Sequence, residues 1–465
     1  MSERCFNVTG LPTNRSSSHG PVPLPGARRA LLLLLMLNLF NYLDRYVLAA
    51  AVPDIHHTFF PSPNNPLASG GEGDTIGSFL PWFQHIFGFT PENALIGLLS
   101  TAFMVVYMSA APLCAKLAER LSRWGLIGVA VIVWSLASGG SGMATTFGTL
   151  VVTRCLVGIG EAAYGPIAPA IISDLYPSSI RARVLTWFYL AIPVGSALGY
   201  MLGSQVARSP LGWRWAFYLV VMPGICLGTW VLLMPDPTRG QADAADVTPP
   251  RRVTWRDTWV LVQTPSYVLN TLGMTAMTFA MGGIAFWMPD YVQGYRKAST
   301  SATTIFGLIT VTSGLAATLL GTVAGDALRS RFSGAYFLVS GVAILVGFPV
   351  FLLALFMPFP WAWLLIFLAC FCLFANTGLT NTILANVTPP ALRPSAFALN
   401  IFVIHAFGDA ISPLVIGLLV DRYDMNVAFL LVGLMFPVAG GVWLAGAPYL
   451  KRDTALASAC LQCNA

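Results

Sequence analysis

Residues 31–52 read LLLLLMLNLFNYLDRYVLAAAV, a run long enough to cross a bilayer that nevertheless carries Asp44 and Arg45 side by side. A spanning α-helix needs about 20 predominantly apolar residues. This stretch therefore makes lipid the solvent of the chain. Its two opposite charges say where function should be sought: a charged side chain at the centre of a membrane helix costs at least ~2.5 kcal/mol on insertion scales and marks a functional site by default.

Composition extends this reading to the whole chain. Of 465 residues, 56% are hydrophobic and 9% are charged, against roughly 25% charged in soluble domains. Segments of spanning length fall at 30–53, 94–115, 126–146, 149–173, 181–206, 214–234, 266–291, 301–325, 335–357, 360–386, 392–420 and 426–449. These runs do not alternate and are too long for barrel strands. The expected fold class is an all-α integral membrane protein with twelve spans.

The net charge of +6 does not point to nucleic acid, because of where the charges sit. Of the 25 Lys and Arg, 18 lie in the termini and in the turns on one side of the predicted spans. The other side holds only Arg208, Arg214, Arg296, Lys297 and Arg422, of which Arg296 and Lys297 read as solvated loop charges. The positive-inside bias then places both termini in the cytoplasm. Short tails without sorting motifs suggest a bacterial inner membrane; a monomer is expected. Residues 1–29, rich in Pro, Ser and Gly, read as a disordered cytoplasmic tail with no cleavable signal, and 450–465 as a second tail. Cys114, Cys155, Cys226, Cys370 and Cys372 read as small apolar residues in or beside spans. Cys460 and Cys463 alone are too few for a zinc site, so no metal or cofactor is expected.

The polar, Pro-rich segment 235–265 divides the chain into halves, 30–234 and 266–449. They echo each other: LAERLSR (117–123) against AGDALRSR (324–331), and PSSIRAR (177–183) against PPALRPS (389–395). A parallel repeat of six spans is a transporter plan with the substrate site between the halves near the midplane. The longest outer loop, 54–93, contains no Lys or Arg. Its aromatic piece SFLPWFQHIFGF suits either an interfacial anchor or a plain connection. Thr90 is expected to cap the second span, with Pro91 at its first position.

Two acid–base sets lie within spans. Besides Asp44 and Arg45, Arg154 and Glu161 are seven apart and share one helix face. Gly158 and Gly160 between them allow a neighbour to approach closely. In the second half, His405 and Asp409 share a face four residues apart, and a histidine near neutrality can move protons. Asn270, Asn376, Thr380, Asn381 and Asn400 either line a cavity or hydrogen-bond between helices. Pro166, Pro169, Pro193, Gly195, Gly199, Pro289 and Pro413 are candidate bends, for packing or for gating.

The turn LAERLSRW is similar to the loop signature of the major facilitator superfamily, Gly-x-x-x-Asp-Arg-x-x-Arg, with Ala115 in place of Gly and Glu119 in place of Asp. That resemblance implies a conformational latch made by Glu119, Arg120 and Arg123, repeated by Asp326, Arg329 and Arg331, with Asp174 and Arg181 nearby. NYLDRYVLAAAVPDI (41–55), RCLVGIGEAAYGPIAPAIISDLYP (154–177), FYLAIPVGSALGYMLG (188–203), GWRWAFYL (212–219) and HAFGDAISPLVIGLLVD (405–421) resemble the Spinster lipid transporters within that superfamily. The resemblance implies two six-helix bundles, alternating access, membrane lipids as surroundings and an amphipathic anionic substrate such as a lysophospholipid or a sphingosine phosphate-like lipid. On this reading Asp44 and Glu161, with His405 and Asp409, exchange protons. Arg45 or Arg154 receives the head group, and the Asn and Thr set lines the cavity. An organic or sugar acid carrier of the same fold, or an uncoupled channel or lipid sensor, would share these features. No P-loop, H-E-x-x-H or G-x-S-x-G motif supports an enzyme.

Overall fold

The computed structural model describes residues 24–60, 75–118, 120–237, 255–389 and 392–462. Among them all regular structure is helical. In chain order these are α1 (Ala27–Phe59), the short α2 (Thr75–Phe87), α3 (Glu92–Leu117), α4 (Arg123–Met143), α5 (Phe147–Leu175), α6 (Ser178–Ala207) and α7 (Trp213–Leu232). After the linker come the short α8 (Trp255–Val262), then α9 (Pro265–Asp290), α10 (Ala302–Arg329) and α11 (Ala335–Phe356). The chain ends with α12 (Trp361–Phe374), α13 (Thr377–Val387), α14 (Arg393–Ile404), α15 (Ser412–Arg422), α16 (Met425–Gly433), α17 (Met435–Gly446) and α18 (Leu450–Gln462). Among the described residues twelve helices, counting α12–α13, α14–α15 and α16–α17 as one each, are long and apolar enough to cross a membrane.

Three expectations change at the margins. α1 continues through Pro53 to Phe59, because Ile55 and Phe59 are buried and Phe59 packs its ring on Phe147 and Trp213. The tail after the last span is helical over Leu450–Gln462, and the Asp453 carboxylate there accepts the Ser266 N–H at 2.9 Å and so caps α9. Within the linker, 255–262 is a helix, while 238–254 lie outside the described residues. So do residues 1–23, and Cys463 of the C-x-x-C pair.

Arg296 is not a solvated loop charge. Its guanidinium donates to the Leu355 and Met357 carbonyls at 2.6 and 2.5 Å and to the Tyr291 hydroxyl at 2.9 Å. It also lies 5.2 Å from the Phe359 ring centre. The last carbonyls of α11 have no partners within the helix, and a cation there meets the negative end of the helix dipole. The loop position of Arg296 hid this role.

Gly195 and Gly199 act as packing positions. With Gly203 they recur every fourth residue along α6, where α1 lies against them. A Cβ added at each would stand 2.4 Å from the Leu39 carbonyl oxygen, 2.5 Å from that of Leu43 and 2.7 Å from the Ala50 Cβ. Membrane helices have no hydrophobic drive to associate, so small residues that let backbones touch supply the contact. Gly158 and Gly160 do the same for α5, against the Phe103 backbone and Trp134 respectively.

At the end farther from the linker the halves are joined by hydrogen bonds: Asn93 and Ala94 to Asp421, Tyr200 to the Ala285 carbonyl at 2.6 Å, and Ser204 with Thr304 at 3.4 Å. Gly97 and Gly417 let α3 and α15 cross there: a Cβ on either would sit 2.3 Å from a backbone oxygen of the other helix.

The α1–α6 stripe is directly testable. Gly199→Leu is expected to lower the thermal midpoint of the detergent-solubilised protein, since overpacking typically costs about 1–3 kcal/mol. Gly148→Ala, where an added Cβ meets nothing within 4 Å, should leave the midpoint unchanged or raise it.

Candidate functional site

α1, α4 and α5 bring Asp44, Arg154 and Glu161 together in the first half, all but inaccessible at 0–1% exposure. The pairing differs from the neighbour relation in the sequence. Arg45 does not serve Asp44; its Nε donates to Glu161 Oε2 at 2.6 Å. Asp44 Oδ1 instead accepts the Ser138 hydroxyl at 2.5 Å. Adjacent residues on a helix point about 100° apart, so Asp44 and Arg45 diverge and hydrogen-bond different partners.

Arg45 is boxed by rings as well as paired. Its guanidinium carbon lies 5.2, 5.0 and 4.9 Å from the ring centres of Tyr42, Phe103 and Tyr107. Its side chain keeps 17% exposure and faces the other half, where its charge reaches His405. Arg154 is the reverse case. It is buried, stands 5.5 Å from the Phe103 ring centre, and its Nε and Nη1 have no hydrogen-bond partner. Asp44 Oδ2, Glu161 Oε1, Asn41 Nδ2 and Trp134 Nε1 are likewise unbonded. A buried charge without a hydrogen bond is costly, so this group has latent partners for rearrangement.

In the second half, a π-helical turn at His405–Asp409 replaces regular α-helix between α14 and α15. The His405 Nδ1 meets both Asp409 carboxylate oxygens, at 2.8 and 3.0 Å. Asp409 lies so close to α9 that a Cβ on Gly282 would stand 2.3 Å from its own Cβ. Tyr46, beside Arg45, is within electrostatic reach of Asp409. The two acid–base sets thus lie within electrostatic reach of each other, one on each half. Beside the π turn a surface groove of about 390 Å³ is lined by Leu272, Phe279, Phe407, Met435, Val438 and Val442, among others.

The polar set of the second half is mainly internal structure. Asn270 Nδ2 donates to the Thr380 carbonyl at 3.0 Å and Thr271 to Asn400 Oδ1 at 2.8 Å. Thr380 bonds back to the Asn376 carbonyl at 3.0 Å within its own span. Asn381 stands apart: it is exposed and bonds the Thr377 carbonyl of its own helix at 2.8 Å.

The basic turns at the linker end hold partners within each half. Arg123 pairs with Asp174, and the Asp236 carboxylate accepts the Arg123 and Trp124 N–H groups, each at 2.9 Å. Asp326 accepts the Tyr336 hydroxyl at 2.7 Å, and Arg329 donates to that hydroxyl at 3.1 Å. Arg181 donates to the Tyr176 carbonyl at 3.2 Å. Arg120 and Arg331 are exposed, and Glu119 lies outside the described residues.

At the opposite end the cap expected from Thr90 comes from the other half. Pro91 occupies the cap position of α3, without a side-chain cap bond. Asp421 of α15 instead accepts the backbone N–H of Asn93 at 2.9 Å and of Ala94 at 2.8 Å, and the Asn93 side-chain amide at 2.8 Å. Asp421, Ser138 and the Tyr42–Phe103–Tyr107 box escaped the sequence reading. The only signal was Asp421's place at the end of the stretch 405–421.

The sequence profile of the Major Facilitator Superfamily matches residues 34–413. With twelve spans in two halves and a buried charge site in the first of them, the chain is a transporter of that superfamily. It is 33% identical over 410 residues to protein spinster homolog 3 of Danio rerio, covering 84% of this chain and 76% of that one. It is 34% identical over 427 residues to protein spinster homolog 1 of Homo sapiens, covering 86% and 75%, and 34% identical over 415 residues to the sphingosine-1-phosphate transporter SPNS2 of Danio rerio, covering 84% and 75%. The chain belongs to the Spinster family. In fold it is similar to a bacterial homologue of the human lysosomal transporter Spinster, with a TM-score of 0.77 at 19% identity, covering 92% of this chain and 98% of that one. A D-xylose–proton symporter shares the fold with a TM-score of 0.67 at 17% identity, covering 89% and 96%.

Asp421 offers a direct test of the closed end. A hydrogen bond to a charged acceptor contributes roughly 1.5–3 kcal/mol, and a loss of that size shifts a two-state ratio by about 10- to 150-fold. Asp421→Ala is expected to lengthen and broaden the distances between spin labels on the two halves at that end. Unchanged distances would make the cap incidental.

Proposed function

We propose that this transporter carries an amphipathic anionic lipid by alternating access, and that anion binding is linked to protonation of Glu161. One observation carries the reading. Arg45, the part-exposed cation that faces the gap, is held by Glu161, while Arg154 behind it is buried with free N–H groups. A phosphate head group arriving in the gap competes with Glu161 for Arg45. Once displaced, Glu161 takes a proton, because a buried carboxylate without its cation resists ionisation. Asp44, held by Ser138, is the second acid of the site. His405–Asp409 across the gap gives the proton a group on the other half. The mainly internal bonds of Asn270, Asn376, Thr380 and Asn400 favour a structural role for them over substrate contact.

The lipid class is supported by the relatives named for sphingosine-1-phosphate and by the apolar groove beside the π turn, which suits an acyl tail. With the Lys- and Arg-rich end in the cytoplasm, as the positive-inside bias directs, the closed end faces outward and the carrier is open to the cytoplasm. The latch residues then hold their own halves and await the opposite state. We place the protein, as a monomer with both termini inside, in a bacterial inner membrane.

Linkage fixes the sign of the pH effect: if anion binding favours protonated Glu161, acid must favour anion binding. Binding of sphingosine phosphate or lysophospholipid to the purified carrier is expected to tighten as pH falls. In Glu161→Gln the affinity should change little with pH. Arg45→Ala should weaken binding at least tenfold at every pH. Uptake into liposomes under a pH gradient checks the substrate class. Uptake of sugar or organic acids without lysolipids would reassign the cargo, and non-saturable flux would overturn carriage.

A further inference from the structure

We infer that α2 is an interfacial membrane anchor, lying in the head-group zone of the leaflet at the end opposite the linker and gripping it through Trp82, Phe83, Ile86 and Phe87. The sequence of α2, TIGSFLPWFQHIF, contains no Lys, Arg, Asp or Glu. At 13 residues it is too short to span, since a span needs about 20. Its apolar positions 80, 83, 86 and 87 fall on one stripe at helical spacing, with Gln84 at its edge and His85 on the opposite side. Trp82, Ile86 and Phe87 are 56, 53 and 54% exposed on the protein itself. Phe83 gathers Phe87 and Phe89 at ring-centre distances of 4.4 and 5.4 Å.

What covers these rings follows from where the helix is tied. It lies between the end of α1 at Phe59 and the start of α3 at Glu92, two spans of a membrane protein that end on the same side. Tied at both ends to that side of the bundle, α2 is held at the level where the spans leave the membrane. Trp and aromatic rings concentrate at this depth because an apolar body and a polar tip both find partners there. Without charges, the helix needs no anionic lipid and its grip is indifferent to salt, unlike basic interfacial helices. The anchor also has a mechanical place. Only residues 88–91 separate it from the Glu92–Ala94 turn that Asp421 caps, so it fixes that end of α3 in the membrane when the other half moves away.

The test uses the full-length protein in nanodiscs of zwitterionic phosphatidylcholine. The emission of Trp82 is isolated as the difference between the wild type and Trp82→Phe. The expected result is at least twofold quenching of that difference by lipids brominated near the head of the acyl chain, unchanged by high salt. Ile86→Lys together with Phe87→Lys should cut this quenching by half or more while the protein stays monodisperse. A difference signal quenched by aqueous iodide and untouched by brominated lipid overturns the proposal. So does one shielded from both, as a contact between two copies would produce.

Discussion

The hydrogen-bonded ion pair between Arg45 and Glu161, 2.6 Å long, is the constraint around which the first half is arranged. Two charges cannot be held in the membrane interior unless each is answered. Glu161 is answered by Arg45, Arg45 also by three aromatic rings, and Asp44 by a serine on α4. Close helix approach at Gly158 and Gly160 is what brings α3 and α4 near enough to α5 for this. The arrangement is complete for Arg45 and incomplete for Arg154, and that asymmetry separates a resting carrier from a merely stable bundle. A fully satisfied network would rigidify the half; one with uncommitted N–H groups beside an exchangeable carboxylate can change partners.

A second constraint acts at the helix ends. The first N–H groups and last carbonyls of each helix have no partner within it, and in several places the chain borrows one from afar. Asp236 caps α4, Asp453 caps α9 and Asp421 caps α3, while Arg296 covers the end of α11. Most of these bonds tie elements of one half together and can persist through any motion of the halves. The Asp421 cap crosses between halves, so it must break whenever that end opens. Its strength, with the backbone contacts at Gly97 and Gly417, sets how far the resting state leans toward closure there.

The span pattern and the buried charges were legible in the sequence for physical reasons. Hydropathy over about 20 residues measures the bilayer, and residues seven apart must share a helix face, so Arg154 with Glu161 could be read directly. Partners were not legible. Asp44 and Arg45 are neighbours in the chain, yet their side chains diverge, and Glu161 is Arg45's partner only because α5 lies beside α1. Thr90 met every local rule for a cap, but Asp421, 328 positions from the Asn93 whose N–H it accepts, took the role. Gly195 and Gly199 suggest bends when read alone; only the stripe they form with Gly203 against α1 reveals packing. Local rules report what a residue can do, and tertiary contact chooses among the options.

The partner exchange at Glu161 is the central claim, and infrared difference spectroscopy on substrate addition addresses it most directly. Binding of sphingosine phosphate near neutral pH is predicted to produce a new protonated-carboxyl band, absent in Glu161→Gln and retained in Asp409→Asn. If substrate binds and no carboxyl band appears, or if the band survives Glu161→Gln, Glu161 is not the group that anion binding protonates.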